Sequence, residues 1–118
     1  MVFDREILVR TLGGDVELAR EIIAGFVVDV RRQLLALRET AETGTAGQIA
    51  RQAHALKGAS ATVGAQGLMV EAARLEVDAK AAGDGQLERA VERAAALEDA
   101  FREFADDWEK NGLAGEQR

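Results

Sequence analysis

The sequence contains one histidine, His54, and it is the best candidate for nucleophilic chemistry. Imidazole changes charge near neutral pH, so an exposed histidine can act as a nucleophile, a base or a ligand. Most lone histidines are structural, so the neighbouring residues must decide between these roles. Lys57 and Arg51 lie about one helical turn away on either side, in a chain of net charge −6. Each residue alone can be explained as a solvated surface charge. Together they form a locally basic patch around His54, which suits phosphoryl oxygens or an acidic partner.

Helical geometry places His54 on an outward face. The apolar stripe of its helix is centred on Leu56, and at about 100° per residue His54 lies roughly 160° away from it. Gly58 follows one turn later on the same outward side, where a glycine costs up to about 1 kcal/mol of helix stability. Close helix packing does not explain a glycine on that face. We therefore predict that Gly58 leaves room for an approaching molecule. Ala61, a further turn along the same edge, is also small, but alanine is the commonest residue in helices and its size alone does not indicate a role.

Five helices are predicted from the apolar spacing and from the capping residues. Asp4 is the N-cap of a short first helix that ends at Gly13-Gly14, and Asp15 caps a second helix extending to about Glu42. Thr45 and Gln48 form a capping box for the third. The third helix is predicted over about Ala46–Val63 and the fourth over about Gln66–Ala82. After a turn at Gly83–Gly85, the fifth helix is predicted from an apolar stripe: Leu87, Val91, Ala94, Leu97, Phe101, Phe104 and Trp108.

These elements predict an all-α fold, an antiparallel up-down four-helix bundle with a short N-terminal capping helix. The sequence has no proline and little strand-like alternation. We expect the bundle to occupy residues 1–110 and residues 111–118 to form a flexible tail. Phe101, Phe104 and Trp108 can be buried either inside the bundle or against a second copy.

Composition excludes several classes of function. The acidic charge argues against nucleic acid, because binding a phosphate backbone needs a basic surface. With no cysteine, disulfides and thiolate metal sites are unavailable. We expect no membrane span and no secretory signal, and hence a cytoplasmic protein. A phosphate-binding glycine loop for ATP is absent from the sequence.

The segment HALKGASATVGA, from His54 to Ala65, resembles the signature of histidine-containing phosphotransfer (HPt) domains. That signature is His-x-x-Lys-Gly, then a glycine six residues on, then an apolar helix ending Leu-Glu. It is matched by the following residues: His54, Lys57, Gly58, Gly64, Leu68, Leu75 and Glu76. The bundle organisation extends the similarity over about residues 4 to 109.

This resemblance implies reversible phosphoryl transfer between His54 and an aspartyl phosphate on a response-regulator receiver domain or hybrid histidine kinase. It implies that Glu76 hydrogen-bonds the ring through Nδ1, although a pair with Lys80 four residues later explains Glu76 almost as well. The receiver would supply Mg²⁺, and this chain would bind no cofactor and no small-molecule substrate. Docking is expected around His54, at Ala50, Arg51, Gly58, Ala61 and parts of the second helix.

Three alternatives compete with this interpretation. A purely structural bundle explains the amphipathic helices but not Gly58 on the outward face. A metal or cofactor bundle needs inward Glu-x-x-His pairs, which one histidine cannot provide. The third is an HPt-like scaffold that binds a receiver without accepting phosphate. Proteins of that kind usually lack the histidine.

Overall fold

The computed structural model describes residues 5–82 and 88–110, which form five helices and, within those ranges, no strand. The second, third and fourth helices match their predicted bounds to within a residue. The predicted cap at Asp4, the turn at Gly83–Gly85 and the tail from Asn111 lie outside the described residues. The helices are α1 Arg5–Thr11, α2 Val16–Thr43, α3 Ala46–Val63, α4 Gln66–Ala82 and α5 Glu88–Lys110.

Local hydrogen bonds set both ends of α3. At its start, the Thr45 hydroxyl accepts from the Gln48 N–H and the Gln48 side chain accepts from the Thr45 N–H, which is the predicted capping box. At its end, Gly64 adopts φ +76°, and the following N–H of Ala65 donates to Ser60 O over 2.9 Å. Because both ends of α3 are fixed by hydrogen bonds between residues close in the sequence, the side of the helix on which each residue lies is determined locally.

The helices pack as a closed ring. α2 packs on α3, α3 on α4, α4 on α5 and α5 back on α2, while α1 lies against α2 and α3. Two residues connect α2 to α3, and two connect α3 to α4, so the chain reverses direction at each junction. The molecule is elongated, with principal extents of 52 × 22 × 21 Å. The predicted antiparallel bundle with an N-terminal capping helix is confirmed.

Along its described residues, the predicted stripe of α5 is buried or partly buried except at Val91, and Leu87 lies outside the described residues. Leu8 of α1 and the apolar stripes of α2, α3 and α4 are buried, as are Phe101 and Phe104 on α5. Trp108 is partly buried and packs against this core, so Phe101 and Phe104 are covered within the chain and Trp108 is covered in part. Val91 was predicted to be in the core but is 47% exposed. Val91 and Leu97 are six residues apart, which corresponds to a rotation of about 600° around the helix axis. This is about 120° short of two full turns, so Val91 lies on a different side of α5 from Leu97.

Side-chain pairs tie the helices across the bundle. Arg38 on α2 binds Glu98 on α5 through both carboxylate oxygens, and Arg93 on α5 binds Asp78 on α4 at 2.8 Å. Within the described ranges, no helix carries a long enough apolar run to cross a bilayer.

Candidate functional site

His54 lies in the middle of α3 and faces outward. Its side chain is 68% exposed, whereas Leu56, two residues later, is completely buried. The prediction from helical geometry is therefore confirmed, and His54 is not a core histidine. The ring is accessible to another macromolecule without any rearrangement of the bundle.

Glu76 of α4 reaches the ring from the neighbouring helix. Its Oε2 lies 2.9 Å from Nδ1 of His54, and its own side chain is only 8% exposed. An ionised carboxylate has no proton to donate, so Nδ1 carries the hydrogen in this contact. In a neutral ring the lone pair is then on Nε2. The arrangement fixes both the orientation of the imidazole and the nitrogen that is free to act as a nucleophile.

Two lysines share the same carboxylate. Lys57 Nζ lies 2.8 Å from Oε1 of Glu76, and Lys80 Nζ lies 3.1 Å from Oε2. The two interpretations of Glu76, a bond to His54 and a pair with Lys80, are therefore both present at once. Lys57 does not extend freely beside the ring, because its ammonium is bound to Glu76. Lys80 was predicted only as a partner of Glu76 and not as a residue of the site. Its i+4 spacing from Glu76 was the available signal, because a side chain bound to Glu76 lies near the ring if Glu76 also binds the ring.

The lysines keep Glu76 ionised. Hydrogen bonds from Lys57 and then Lys80 lower the pKa of Glu76 to about 2, with a smaller contribution from His54 and against the opposing effect of partial burial. At neutral pH Glu76 is therefore a carboxylate, which is the form required to hold the Nδ1–H bond. A nearly buried anion is stable here because three donors surround it.

Gly58 leaves open space on the side of His54 toward the end of α3. A Cβ added at this position would meet nothing within 4 Å, so no neighbouring helix requires a glycine there. Ala61, one turn further along, is also exposed. Both observations agree with the expectation of a cleared outward surface, and they exclude close helix packing as the reason for Gly58.

An open hollow of about 340 Å³ lies on the other side of the ring. It is lined by Ala50, Arg51, His54, Glu76 and Lys80. Arg51 is exposed and forms no ion pair with any residue that the structure describes. Ala50 was expected on the docking surface but is only 6% exposed, because α4 packs against that edge of α3. It forms part of the wall of the hollow and offers little area of its own.

Residues 5–82 and 88–110 contain no group of three or more His, Asp or Glu side chains arranged to hold a metal ion. The chemistry available at the site is that of an exposed imidazole with a fixed tautomer, a buried anion behind it and cations around it.

Comparison with known families identifies the family to which the chain belongs. The family model of the Hpt domain matches residues 21–109, three quarters of the chain. The protein belongs to the Hpt domain family. Members of this family are histidine phosphotransfer proteins, which carry a phosphoryl group rather than turn over a substrate. His54, Lys57, Gly58 and Glu76 of this Hpt domain all lie inside the matched range.

A solved structure shows the same Hpt fold. The X-ray structure of a rice protein, provisionally named a histidine-containing phosphotransfer protein, superposes with a TM-score of 0.74 at 18% sequence identity. The match covers 92% of this chain and 78% of the rice chain. At this identity the similarity concerns the fold alone. No curated protein sequence matches this Hpt domain at a significant level.

Proposed function

We propose that His54 receives a phosphoryl group from an aspartyl phosphate on one receiver domain and passes it to another, in a two-component phosphorelay. The observation that carries this proposal is the 2.9 Å contact between Glu76 and Nδ1 of a ring that is 68% exposed. An accessible imidazole whose proton is held on Nδ1 has its lone pair available at Nε2.

In the forward step the Nε2 lone pair attacks phosphorus. The bond between phosphorus and the aspartyl oxygen breaks, the aspartate leaves as a carboxylate, and a P–Nε2 bond forms. Nδ1 keeps its proton, so the ring becomes positively charged while it faces the Glu76 carboxylate at 2.9 Å. Glu76 favours the phosphorylated state through this interaction, and Lys57 holds Glu76 in place from Oε1. The return step to a second aspartate runs through the same atoms in reverse.

The partner supplies the remaining machinery in this proposal. Phosphoryl transfer depends mainly on positioning and on neutralising charge, so Mg²⁺ held by the receiver would provide most of the stabilisation of the transition state. This chain would bind no cofactor and would have no kinase activity of its own. The receiver or hybrid histidine kinase would dock over the surface around His54, on Arg51, Gly58 and Ala61, with Ala50 in the wall of the hollow.

The test is transfer from receiver domains phosphorylated with acetyl phosphate. Wild-type protein should acquire an acid-labile, alkali-stable label, and His54→Gln should acquire none. Because His54 is the sole histidine of the chain, any phosphohistidine must be at this position. Equal labelling of both proteins would disprove the proposal. Stable complexes with receivers but no label on the wild type would instead favour a scaffold that binds a receiver without transfer.

A further inference from the structure

The contacts of Glu76 distinguish the two lysines of the site. Oε1 accepts from Lys57 alone among the described residues, at 2.8 Å. Oε2 accepts from two donors, His54 Nδ1 at 2.9 Å and Lys80 Nζ at 3.1 Å. Lys57 is therefore the one described hydrogen-bond donor to Oε1, whereas Lys80 and the histidine both donate to Oε2.

This difference decides which lysine can leave Glu76. If Lys57 moved away, Oε1 of a side chain that is only 8% exposed would lose its described partner, and an unpaired buried oxygen of an anion is costly. If Lys80 moved away, Oε2 would keep the Nδ1–H bond. Lys80 is also the more exposed lysine, at 66% against 37% for Lys57, so its ammonium moves with a smaller change in solvation.

Lys80 and Arg51 line the same hollow as the imidazole ring, whereas Lys57 does not. A phosphoryl group on His54 brings negative charge to a place where Glu76 is already ionised. Lys57 is held by that carboxylate, so the cations available to the new charge are Lys80, by exchange from Oε2, and Arg51, which has no described ion-pair partner. The hollow, at about 340 Å³, has room for a phosphoryl group between them.

We propose that Lys80 and Arg51 bind the oxygens of the phosphoryl group carried by His54, while Lys57 of the His-x-x-Lys-Gly motif stays on Glu76 as a positioning residue. The proposal builds on the acceptor role of His54 given above and names the groups that hold the phosphoryl group after transfer. On phosphorylation, Lys80 exchanges one anionic partner for another, and the Glu76–His54 bond stays intact.

The experiment uses phosphoramidate in place of a receiver. Its P–N bond breaks, ammonia leaves, and a P–Nε2 bond forms on His54 while Nδ1 keeps its proton. The chain has three lysines, Lys57, Lys80 and Lys110, so protein labelled with ¹³C,¹⁵N-lysine gives three side-chain signals that single Lys→Arg variants assign. The Lys80 signal should shift on phosphorylation, with Lys57 nearly unchanged and Lys110 as an internal control. A Lys57 shift as large as that of Lys80, or no shift at Lys80, would overturn the proposal.

A second measurement follows loss of the phosphoryl group from isolated phosphoprotein. Lys80→Gln should lose it about threefold faster than wild type, the size expected for one exposed ion pair, and Lys80→Arg should restore the wild-type lifetime. Arg74→Gln is the matched control, since it removes one positive charge from the same helix at a residue paired with Glu71. Equal lifetimes of wild type and Lys80→Gln would refute the role of Lys80. Neither measurement involves a receiver, so failure of relay transfer and failure of this contact are separate results.

Discussion

Oε2 of Glu76 lies 2.9 Å from Nδ1 of His54 and joins α4 to α3 between residues 22 positions apart. The bond links a nearly buried carboxylate to an exposed ring, so the packing of the bundle acts directly on the candidate nucleophile. Lys57 and Lys80 form ion pairs with the same carboxylate and keep it charged. The orientation and protonation of an exposed side chain are thus determined by a group inside the fold.

The tautomer of His54 should depend on Glu76. In Glu76→Ala the Nδ1–H bond to an anion is lost, and the ratio of the two neutral tautomers should move toward Nε2–H by about tenfold. Nitrogen-15 chemical shifts of the imidazole measure this ratio, and the rate of phosphoryl transfer should fall in parallel. Lys110→Gln, at the end of α5, is the control for loss of one charged side chain. An unchanged tautomer ratio in Glu76→Ala would contradict the assignment of the proton to Nδ1.

Stability should fall at acid pH through Glu76. Its pKa is lowered from an ordinary 4.5 to about 2, so its ion pairs contribute fully above pH 4.5 and are lost as the pH falls toward 2. The melting temperature of wild type should therefore drop more steeply over this range than that of Glu76→Gln, which cannot titrate. Thermal denaturation of both proteins between pH 7 and pH 2 makes the comparison. Parallel curves would show that Glu76 is not held as an anion by its lysines.

Gly58 should tolerate a small side chain but not a large one. Gly58→Ala should keep transfer and raise stability by up to about 1 kcal/mol, because the new Cβ meets nothing within 4 Å. Gly58→Glu should fold normally but block transfer by occupying the approach to the ring. Gly25→Glu on α2 is the matched control, since Gly25 is also exposed with open space around its Cβ. Normal transfer by Gly58→Glu would show that the partner does not approach from this side.

Ser60 should be replaceable by alanine without loss of stability. It is completely buried on the core stripe of α3, and its hydroxyl has no hydrogen-bond partner among the described residues. Because burying an unpaired hydroxyl costs free energy, Ser60→Ala should raise the free energy of unfolding by about 1 kcal/mol. Urea denaturation measures the change, and Ala53→Ser on the same stripe should lower stability. Destabilisation by Ser60→Ala would reveal a bond that the hydroxyl makes in solution.

The sequence alone determined the elements and the outward direction of His54. The caps at Asp15, Thr45 and Gly64 act over three to five residues, and the apolar stripes repeat every turn, so both are visible in a linear string. The family signature around His54 is equally local. The bounds of α2, α3 and α4 were therefore predicted closely. Val91 was wrongly predicted to be buried, because two successive spacings of three residues rotate a position away from the apolar stripe.

The tertiary structure decided how the site is assembled. Whether Glu76 binds His54, Lys80 or both depends on how closely α4 approaches α3, and no pattern within one helix records that distance. The same packing buries Ala50, which was expected on the docking surface. It also brings the ammonium of Lys57 within 2.8 Å of Glu76. Periodicity in the sequence specifies the direction of each side chain from its own helix axis. The contacts between helices, which set the charge and orientation of the candidate nucleophile, are specified only when the faces meet.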